Sequence, residues 1–273
     1  MRRLARGVML VQADLFRLDG RVVAVIGAGS GIGAAVAACV ARQGGHTVCC
    51  DLKREAADAT AAAIRAAGGA AEAAVIDIND EASVAASLDG LVTTHGRLDG
   101  LVCTPAINVR KPLLRYTGDE FDRVVAVNLR GNFNVLTAAG RIMTAQKSGS
   151  IVLFSSIRAL VTEPGQSVYA MTKAGIVQLA KSAATEWATS GVRVNVIGPG
   201  VTETPLTAPI KANAEWYHAY ATKNPMNRWA RPEEMAGPTV FLLSDAASYV
   251  TGTLLLVDGG WTAADGRFTP PGM

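Results

Sequence analysis

The sequence predicts one doubly wound α/β domain built on a parallel sheet of about seven strands. Short apolar runs alternate along the chain with longer, alanine-rich stretches. The short runs are nearly continuous in apolar residues, which is typical of strands buried on both faces of a parallel sheet. Repeated strand–helix alternation with right-handed crossovers produces such a fold. We find neither a linker nor a repeat in the 273 residues, so we predict a single domain.

Each element is predicted from its local composition. Strands are expected at the short apolar runs Arg21–Ile26, Thr47–Cys50, Ala73–Ile76, Leu98–Cys103, Ile151–Phe154, Val192–Ile197 and Leu254–Val257. Helices are expected at the longer stretches Gly31–Gln43, Glu55–Ala66, Glu81–Thr94, Asp119–Gln146, Ser167–Ser190 and Pro232–Leu243. Residues 202–228, which contain prolines and aromatic residues, are predicted to be irregular and to form a lid over a substrate. Residues 1–14 are predicted to be a poorly ordered extension, and residues 15–273 the domain.

Composition excludes several classes of protein. The chain is 49% hydrophobic and 18% charged, with a net charge of +3, which does not fit a disordered protein. It contains no uninterrupted apolar run near the ~20 residues of a membrane span, and its basic excess is too small to indicate nucleic acid or an anionic membrane as a partner. The four cysteines, Cys39, Cys49, Cys50 and Cys103, form neither a CxxC zinc pattern nor a disulfide framework. We therefore predict no metal and a reducing compartment, the cytoplasm.

A glycine-rich turn follows the first predicted strand and opens the first predicted helix. It reads Gly27-Ala28-Gly29-Ser30-Gly31-Ile32-Gly33. A side chain at Gly27 or Gly31 would block the tight turn or the approach of a pyrophosphate, and Gly33 lets the helix pack closely on the strand. The free N–H groups and positive dipole end of the helix attract phosphate. An ordinary βα turn is the alternative, but strand, helix and an acid about 20 residues further on together predict dinucleotide binding.

That acid is Asp51, at the end of the second predicted strand. Its carboxylate can accept hydrogen bonds from the adenosine ribose hydroxyls and would repel a 2′-phosphate, which favours NAD over NADP. Lys53 and Arg54 follow directly and keep NADP open, because a nearby cation can accommodate that phosphate. Asp77 ends the third predicted strand, where it can contact adenine or, equally, cap the helix that follows Asp80.

Tyr169 and Lys173 are four residues apart on a predicted helix and therefore share one face. A phenol has a pKa near 10, and a nearby ammonium group is expected to lower it. Such a pair can exchange a proton with an alcohol or carbonyl oxygen while a hydride moves at carbon. Taken alone the spacing is a weak signal, and a surface pair is the alternative.

Across residues 18–261 the chain resembles the classical short-chain dehydrogenase/reductase family. The similarity rests on motifs in the family's order, which are the glycine turn, Asn128 in Val127-Asn128-Leu129, Ser156 thirteen residues before Tyr169, Tyr169 with Lys173, Pro199-Gly200 with Thr204, and Asp258-Gly259-Gly260. The resemblance implies a Rossmann-type fold. It also implies contacts to the dinucleotide from Gly27, Ser30, Gly31, Ile32, Gly33, Asp51, Asp77, Ile78, Thr104, Tyr169, Lys173, Pro199, Gly200, Val201 and Thr204.

The resemblance also implies catalytic roles. Tyr169 would be the general acid/base, and Lys173 would lower its pKa and hold the nicotinamide ribose. Ser156 would hydrogen-bond the substrate oxygen, and Asn128 would position a water in a proton relay. The alternatives are a strand-end turn hydroxyl for Ser156 and a buried amide bonded to backbone for Asn128.

Two segments depart from the family pattern. Ile26 stands where the family usually has threonine before the first glycine. Cys103-Thr104-Pro105-Ala106 stands where the family has Asn-Asn-Ala-Gly, a motif that stabilises the central sheet and lines the cofactor cleft. Thr104 can replace some of the lost hydrogen bonding, whereas Pro105 removes a backbone donor.

The predicted substrate contacts are Asn108, Arg158 and Gln166. Arg158 lies two residues beyond Ser156 and can bind a carboxylate, although a solvent-facing arginine is the alternative. The stretch Asn108–Pro112 resembles sugar-acid dehydrogenases of the family. We therefore predict an NAD(H)-linked oxidoreductase that interconverts a secondary alcohol and a ketone on a polar small molecule, such as a sugar, sugar acid or hydroxy acid.

Two other functions remain open at this point. One is a 3-oxoacyl thioester (acyl-carrier-protein) reductase that uses NADPH, and the other is a catalytically silent dinucleotide-binding protein. Because family members commonly pair through helices that correspond to Asp119–Gln146 and Ser167–Ser190, the resemblance also implies a homotetramer.

Overall fold

The computed structural model describes residues 14–264, so the predicted extension lies outside the described residues except for Asp14. Seven strands form one sheet, and they are β1 (Val22–Ile26), β2 (His46–Asp51), β3 (Ala71–Val75), β4 (Gly100–Cys103), β5 (Gly149–Phe154), β6 (Val192–Pro199) and β7 (Leu254–Val257). The helices are α1 (Gly31–Arg42), α2 (Arg54–Ala66), α3 (Glu81–His95), α4 (Gly118–Val125), α5 (Gly131–Gln146), α6 (Ser167–Trp187), α7 (Ala208–Lys211), α8 (Ala214–Ala221) and α9 (Glu233–Leu243).

Every strand pair in the sheet is parallel, and the strand order is β3-β2-β1-β4-β5-β6-β7. This is the doubly wound, Rossmann-type order that the sequence predicts. Ile26 pairs with Cys50 of β2 and with Cys103 of β4, so these three strands end level with one another. The chain reverses its direction of winding between β1 and β4, and ligands of such sheets bind outside the carboxyl ends of the strands at that point.

The sheet is buried between two layers of helices. On one face α3, α5 and α6 contribute core residues such as Leu88, Leu136 and Ile176. On the other face α1 and α9 contribute Val36 and Val240. Because side chains alternate along a strand, both faces of β1 are apolar, which explains the nearly continuous apolar runs in the sequence.

Two predicted segments differ from the structure. The predicted long helix over Asp119–Gln146 is continuous but contains a π turn at Ala126–Arg130, between α4 and α5. Residues 202–228 are not irregular, because they include α7 and α8. Asn213 caps α8 by accepting a hydrogen bond from the Trp216 N–H at 3.0 Å, a signal that the prolines nearby obscured.

All four cysteines are free thiols. Burial raises the pKa of Cys49 to about 11 and that of Cys103 to about 12, as expected of core thiols rather than nucleophiles. Between residues 14 and 264, the helices are all too short or too polar to cross a membrane.

Candidate active site

The glycine turn brings α1 against the end of β1. A Cβ atom added at Gly33 would lie 2.0 Å from the carbonyl oxygen of Gly27, and one added at Gly27 would lie 2.5 Å from Thr104 Oγ1. Gly27 also has a φ of +83°, a backbone conformation that favours glycine. Ser30 precedes α1 without making a side-chain cap, so the N–H groups of the first turn are left for a ligand. The turn therefore leaves an open cradle with hydrogen-bond donors at its base.

A cleft of about 460 Å³ opens above this cradle. Its lining includes the predicted cofactor residues Gly27, Ser30, Gly31, Ile32, Gly33, Asp51, Asp77, Ile78, Thr104 and Thr204. Five predicted cofactor residues lie elsewhere. Pro199 is buried at the end of β6 and Lys173 is buried on α6, while Tyr169, Gly200 and Val201 line a neighbouring pocket. The lining reaches from Asp51 at the end of β2 to Leu206, which also lines the neighbouring pocket.

Asp51 is fixed at one end of the cleft by two backbone hydrogen bonds. Its Oδ2 accepts from the Gly29 N–H at 2.9 Å, and its Oδ1 accepts from the Lys53 N–H at 3.0 Å. The exposed Arg54 forms an ion pair with Asp58 at 2.8 Å, one helical turn further along α2. The carboxylate of Asp51 thus lies fixed at the cleft. Of the two cations next to it in the sequence, Lys53 and Arg54, Arg54 is paired with Asp58.

Asp77 does not cap α3. That cap is Asp80, whose side chain accepts from the Ala82 and Ser83 N–H groups. Asp77 Oδ1 instead accepts from the Asn79 N–H at 2.9 Å, which shapes the loop at the cleft wall. Of the two possibilities raised by the sequence, helix capping is therefore wrong.

Thr104 joins the ends of β1 and β4. Its Oγ1 donates to the Ile26 carbonyl oxygen at 2.9 Å, and its N–H donates to the same oxygen at 3.1 Å. Pro105 follows, with ring carbons 3.1–3.2 Å from the position of a Cβ at Gly27. The family's asparagine is thus replaced by a hydroxyl that ties the same two strand ends together.

Ser156 and Tyr169 line the pocket beside the cleft. Ser156 follows β5, and its Oγ accepts from the Arg158 N–H at 3.1 Å, which holds the hydroxyl in place. Burial raises the pKa of the half-buried Tyr169 above its ordinary value, and hydrogen bonding to Ser156 with the positive charges of Arg110 and Arg158 partly offsets that shift. The two hydroxyls are therefore available at one place in the pocket.

Lys173 lies beside Tyr169 on α6, and the groups that lower the pKa of Tyr169 are Ser156, Arg110 and Arg158. Its Nζ lies 5.6 Å from the centre of the Tyr169 ring and donates to the Phe154 carbonyl oxygen at 2.8 Å. The side chain is 2% exposed, and burial lowers its own pKa to about 8, so the group still carries its proton at neutral pH. An ammonium group has three donors, so two remain for a ligand.

Asn128 lies in the π turn and is fully buried. Its Oδ1 accepts from the Ile107 N–H at 2.8 Å, and its Nδ2 donates to the Ile107 carbonyl oxygen at 2.9 Å and to Thr172 Oγ1 at 3.2 Å. The side chain thus holds the cleft wall at Ile107 against α6, as the backbone-bonded alternative from the sequence describes. π turns occur frequently at functional sites.

A buried polar network forms the far wall of the pocket. Arg158 is 6% exposed rather than solvent-facing, and it pairs with Glu163, which also accepts from the Tyr220 hydroxyl. Asn108 Nδ2 donates to Gln166 Oε1 at 2.9 Å, and Gln166 Nε2 lies 3.5 Å from the Tyr220 hydroxyl. The network brings together the three substrate residues predicted from the sequence.

Some polar atoms of this wall have no protein partner. Arg158 Nη1 and Arg110 Nε are buried and make no hydrogen bond within residues 14–264. The sequence analysis did not identify two aromatic members of the wall, Tyr220 and Trp261. The sequence held a signal for Trp261, because this residue directly follows Asp258-Gly259-Gly260. In the structure its ring lies 5.4 Å from the Arg158 guanidinium carbon.

A larger cavity of about 610 Å³ lies at the other end of the sheet, between Arg97, Ser148 and Tyr249. It contains none of the predicted site residues, so we assign the candidate active site to the cleft and its neighbouring pocket.

Comparison with known proteins gives consistent matches over nearly the whole domain. A family model described as enoyl-(acyl carrier protein) reductase matches residues 27–262. The cis-4-hydroxycyclohexanecarboxylate dehydrogenase of Sinomonas cyclohexanicum is 43% identical over 89% of this chain and 97% of its own. The 3-oxoacyl-[acyl-carrier-protein] reductase of Thermotoga maritima is 35% identical over 89% of this chain and 98% of its own.

A solved structure, the gluconate 5-dehydrogenase of Burkholderia cenocepacia in complex with NADP and tartrate, is 35% identical and superposes with a TM-score of 0.89. The match covers 92% of this chain and 98% of that one.

Proposed function

The chain belongs to the short-chain dehydrogenase/reductase family of oxidoreductases, which bind a nicotinamide dinucleotide, and from that premise we propose that it interconverts a secondary alcohol and a ketone with NAD(H). The observation that carries the proposal is the placement of the Ser156 and Tyr169 hydroxyls in one pocket beside the dinucleotide cleft. A proton donor or acceptor and a hydrogen bond to the substrate oxygen are what such a reaction requires of the protein.

The glycine cradle fits the dinucleotide, because a Cβ at Gly27 would meet Thr104 and one at Gly33 would meet the Gly27 carbonyl oxygen, so glycine at both positions lets α1 begin close to β1 with its first N–H groups free for a pyrophosphate. When bound, the nicotinamide ring supplies the hydride acceptor for the alcohol or the hydride donor for the ketone. Lys173 holds the ribose with the N–H groups that Phe154 does not use.

Tyr169 moves the proton in this scheme. In the oxidation direction its phenolate takes the proton from the alcohol hydroxyl, and in reduction its phenol returns that proton to the carbonyl oxygen. Ser156 donates to the oxygen as charge develops on it. Burial disfavours the phenolate, and Ser156, Arg110 and Arg158 partly offset that effect. Asn128 keeps the neighbouring cleft wall in position, because its side chain bonds Ile107 and Thr172. The relay water that the family resemblance implies for Asn128 remains a proposal.

The test replaces the reacting group alone. Tyr169→Phe retains the ring, so folding and NADH binding should persist while turnover falls by roughly 10²–10⁴-fold. Tyr249→Phe is a matched control, because Tyr249 is fully exposed and lies at the cavity on the opposite end of the sheet. Substantial turnover by a well-folded Tyr169→Phe enzyme would remove Tyr169 from the mechanism.

We propose NAD rather than NADP as the cofactor. The support is Asp51, whose carboxylate is fixed at the cleft where a 2′-phosphate would meet it. Titration with NADH and NADPH tests this, and Asp51→Ala should reduce the difference in affinity. Equal or tighter binding of NADPH to the wild type would overturn the assignment and point to Lys53 as the phosphate ligand.

We propose a polar substrate that carries a carboxylate, such as a hydroxy acid or a sugar acid. The support is the pair of arginines in the pocket, whose buried Arg158 Nη1 and Arg110 Nε have no partner in the described part of the chain. The relative from Sinomonas cyclohexanicum is named for a hydroxy acid, and the one from Burkholderia cenocepacia for gluconate. A panel of hydroxy acids, sugars and neutral alcohols, followed by NAD reduction, tests the proposal, and a preference for neutral alcohols would contradict it.

A second candidate is the reduction of 3-oxoacyl thioesters with NADPH, favoured by the 35% identity to the Thermotoga maritima enzyme. An acetoacetyl thioester added to the same panel, with NADPH, distinguishes the two functions, because an enzyme for substrates that carry a carboxylate should turn over a thioester only slowly.

We also propose that residues 202–228 act as a lid. The support is that Ile210 of α7 and Tyr220 of α8 line the pocket, which encloses only about 70 Å³ with these helices in place. Substrate entry therefore requires the helices to move outward. Limited proteolysis tests the lid, since NADH with a substrate analogue should protect bonds within 202–228.

We propose a homotetramer in the cytoplasm. A groove of about 540 Å³ between the π turn, α5 and α6 contains Leu129 and the exposed Phe133, which supports pairing of these helices. The free thiols support a reducing compartment. Light scattering that gives only a monomer at micromolar concentration would contradict the assembly.

A further inference from the structure

Three potential metal ligands meet at the amino-terminal edge of the sheet, away from the cleft. They are His46, Glu72 and His95, and within residues 14–264 they form the one group of three such side chains with donor atoms all within 4.8 Å of one another. Two of the chain's three histidines therefore lie in this single cluster. We name it the His46–Glu72–His95 cluster.

The fold itself brings these residues together. His46 is the first residue of β2, Glu72 is the second residue of β3, and His95 is the last residue of α3. Glu72 pairs with Val48, two positions along from His46, so His46 and Glu72 project from the same face of the sheet. That face is the one against which α3 packs, through Val84 and Leu88. The end of α3 thus places His95 over the two strand residues.

The contacts within the cluster leave one nitrogen without a protein partner. His95 Nε2 lies 2.5 Å from Glu72 Oε1, and His46 Nε2 lies 3.8 Å from the same oxygen. His46 Nε2 is a buried atom that makes no hydrogen bond in the part of the chain that the structure describes. The imidazole rings have centroids 4.7 Å apart at an interplanar angle of 45°, so both nitrogens turn toward the carboxylate without face-to-face stacking.

We propose that the His46–Glu72–His95 cluster binds one Zn²⁺ ion. Two imidazole nitrogens and one carboxylate oxygen are a ligand set that zinc prefers, whereas Mg²⁺ and Ca²⁺ prefer oxygen alone. Ligand atoms about 2.0–2.1 Å from a tetrahedral zinc are about 3.3 Å apart, so the distances of 2.5 Å and 3.8 Å to Glu72 need changes of less than about 1 Å. The two histidine nitrogens lie within 4.8 Å of each other, so their separation needs a change of at most about 1.5 Å. The Glu72 side chain is 40% exposed and can make that change, and the opening to solvent leaves room for a water as fourth ligand.

The proposed zinc site lies away from the proposed reaction centre. β2 has His46 at one end and the cleft residue Asp51 at the other, a separation of about 16 Å for five residues of strand. Zinc would join the carboxyl end of α3 to β2 and to β3, the terminal strand of the sheet. Binding should therefore stabilise the fold and leave turnover unchanged.

The test measures zinc binding by the untagged protein. Calorimetric titration with ZnCl₂ should give one site for the wild type, and MgCl₂ should give none. At a hundredfold excess of zinc over Kd, the melting temperature should rise by roughly 5–10 °C. His95→Ala should bind zinc roughly tenfold or more weakly, and Glu72→Gln, which retains the size of an exposed side chain, provides the same readout if the histidine variant folds poorly.

Two matched controls separate this site from other zinc ligands. His218→Ala removes the remaining histidine, which lies on α8, and Cys39→Ser removes the half-buried thiol. Both variants should bind zinc as the wild type does. The proposal would be overturned if the wild type did not bind zinc at about 100 µM. It would also be overturned if Glu72→Gln and His95→Ala bound zinc as tightly as the wild type does, or if binding were lost only in Cys39→Ser.

Discussion

Gly33→Ala adds one methyl group at the point where α1 touches the glycine turn. The new Cβ would lie 2.0 Å from the Gly27 carbonyl oxygen and 2.6 Å from its carbonyl carbon, where contacts of real Cβ atoms essentially never fall below 3.0 Å. Because both atoms are backbone, no side chain can rotate away. Either α1 or the turn has to move by about 1 Å, and α1 is held by the buried Val36 and Val40.

The magnitude follows from that displacement. Forcing an extra methyl group into a packed interior costs about 1–3 kcal/mol, of which the better helix propensity of alanine returns less than 1 kcal/mol. A net loss of about 2 kcal/mol corresponds to a fall in melting temperature of about 4–8 °C. A shift of about 1 Å in the phosphate cradle should also weaken NADH binding by roughly tenfold to a hundredfold.

Gly90→Ala is the matched control. Gly90 lies in α3, and a Cβ there would meet nothing within 4 Å. The same substitution should therefore stabilise the protein by about 0.5–1 kcal/mol through helix propensity and leave NADH binding unchanged. Thermal melting and fluorescence titration with NADH measure both effects. If Gly33→Ala melts and binds like the wild type, the close contact between α1 and the turn is not what shapes the cradle.

Two further predictions concern buried charges. The pKa of Lys173 is lowered from 10.5 to about 8 in the folded protein, so between these pH values the unfolded chain binds more protons than the folded one. The free energy of unfolding of the wild type should therefore rise with pH over this range, relative to that of Lys173→Met. Chemical denaturation across that pH range measures the difference, and parallel profiles would contradict the buried, partly neutral lysine. Arg158→Met should destabilise the protein by about 1–3 kcal/mol, because it leaves the partly buried Glu163 without its cation, and adding Glu163→Gln should recover most of that loss but not the KM for a carboxylate substrate. A double variant with the wild-type KM would remove Arg158 from substrate binding.

The sheet and the cleft could be predicted because their signals are local. Strands such as Val22–Ile26 are buried on both faces and read as continuous apolar runs, and the glycine turn follows one of them directly. Asp51 could be placed because parallel strands that end together bring their following residues to the same edge. These inferences need only spacing along the chain and the periodicity of secondary structure.

What could not be predicted depends on three-dimensional packing. The pKa of Tyr169 follows from its burial and from Arg110 and Arg158, which the spacing to Lys173 does not reveal. The His46–Glu72–His95 cluster draws its members from three elements that are far apart in the sequence, so no metal-binding spacing marks it. The helices of residues 202–228 were missed because prolines and aromatic residues masked the cap at Asn213.

The π turn at Ala126–Arg130 links the length of the chain at this point to the shape of the cleft. A π turn closes its hydrogen bonds from i to i+5, so it holds one residue more than the α-helical turn it interrupts. Deleting one of its residues would restore a regular α-helical turn and leave α4 and α5 in phase, so the burial of Val124 and the contact of Glu120 with Lys111 at 2.6 Å would persist. The change would fall on Asn128, whose side chain bonds Ile107 and Thr172 from within the turn. The extra residue is therefore an insertion that the packing of both helices accommodates, and shortening the turn should disturb the wall of the cleft rather than the core.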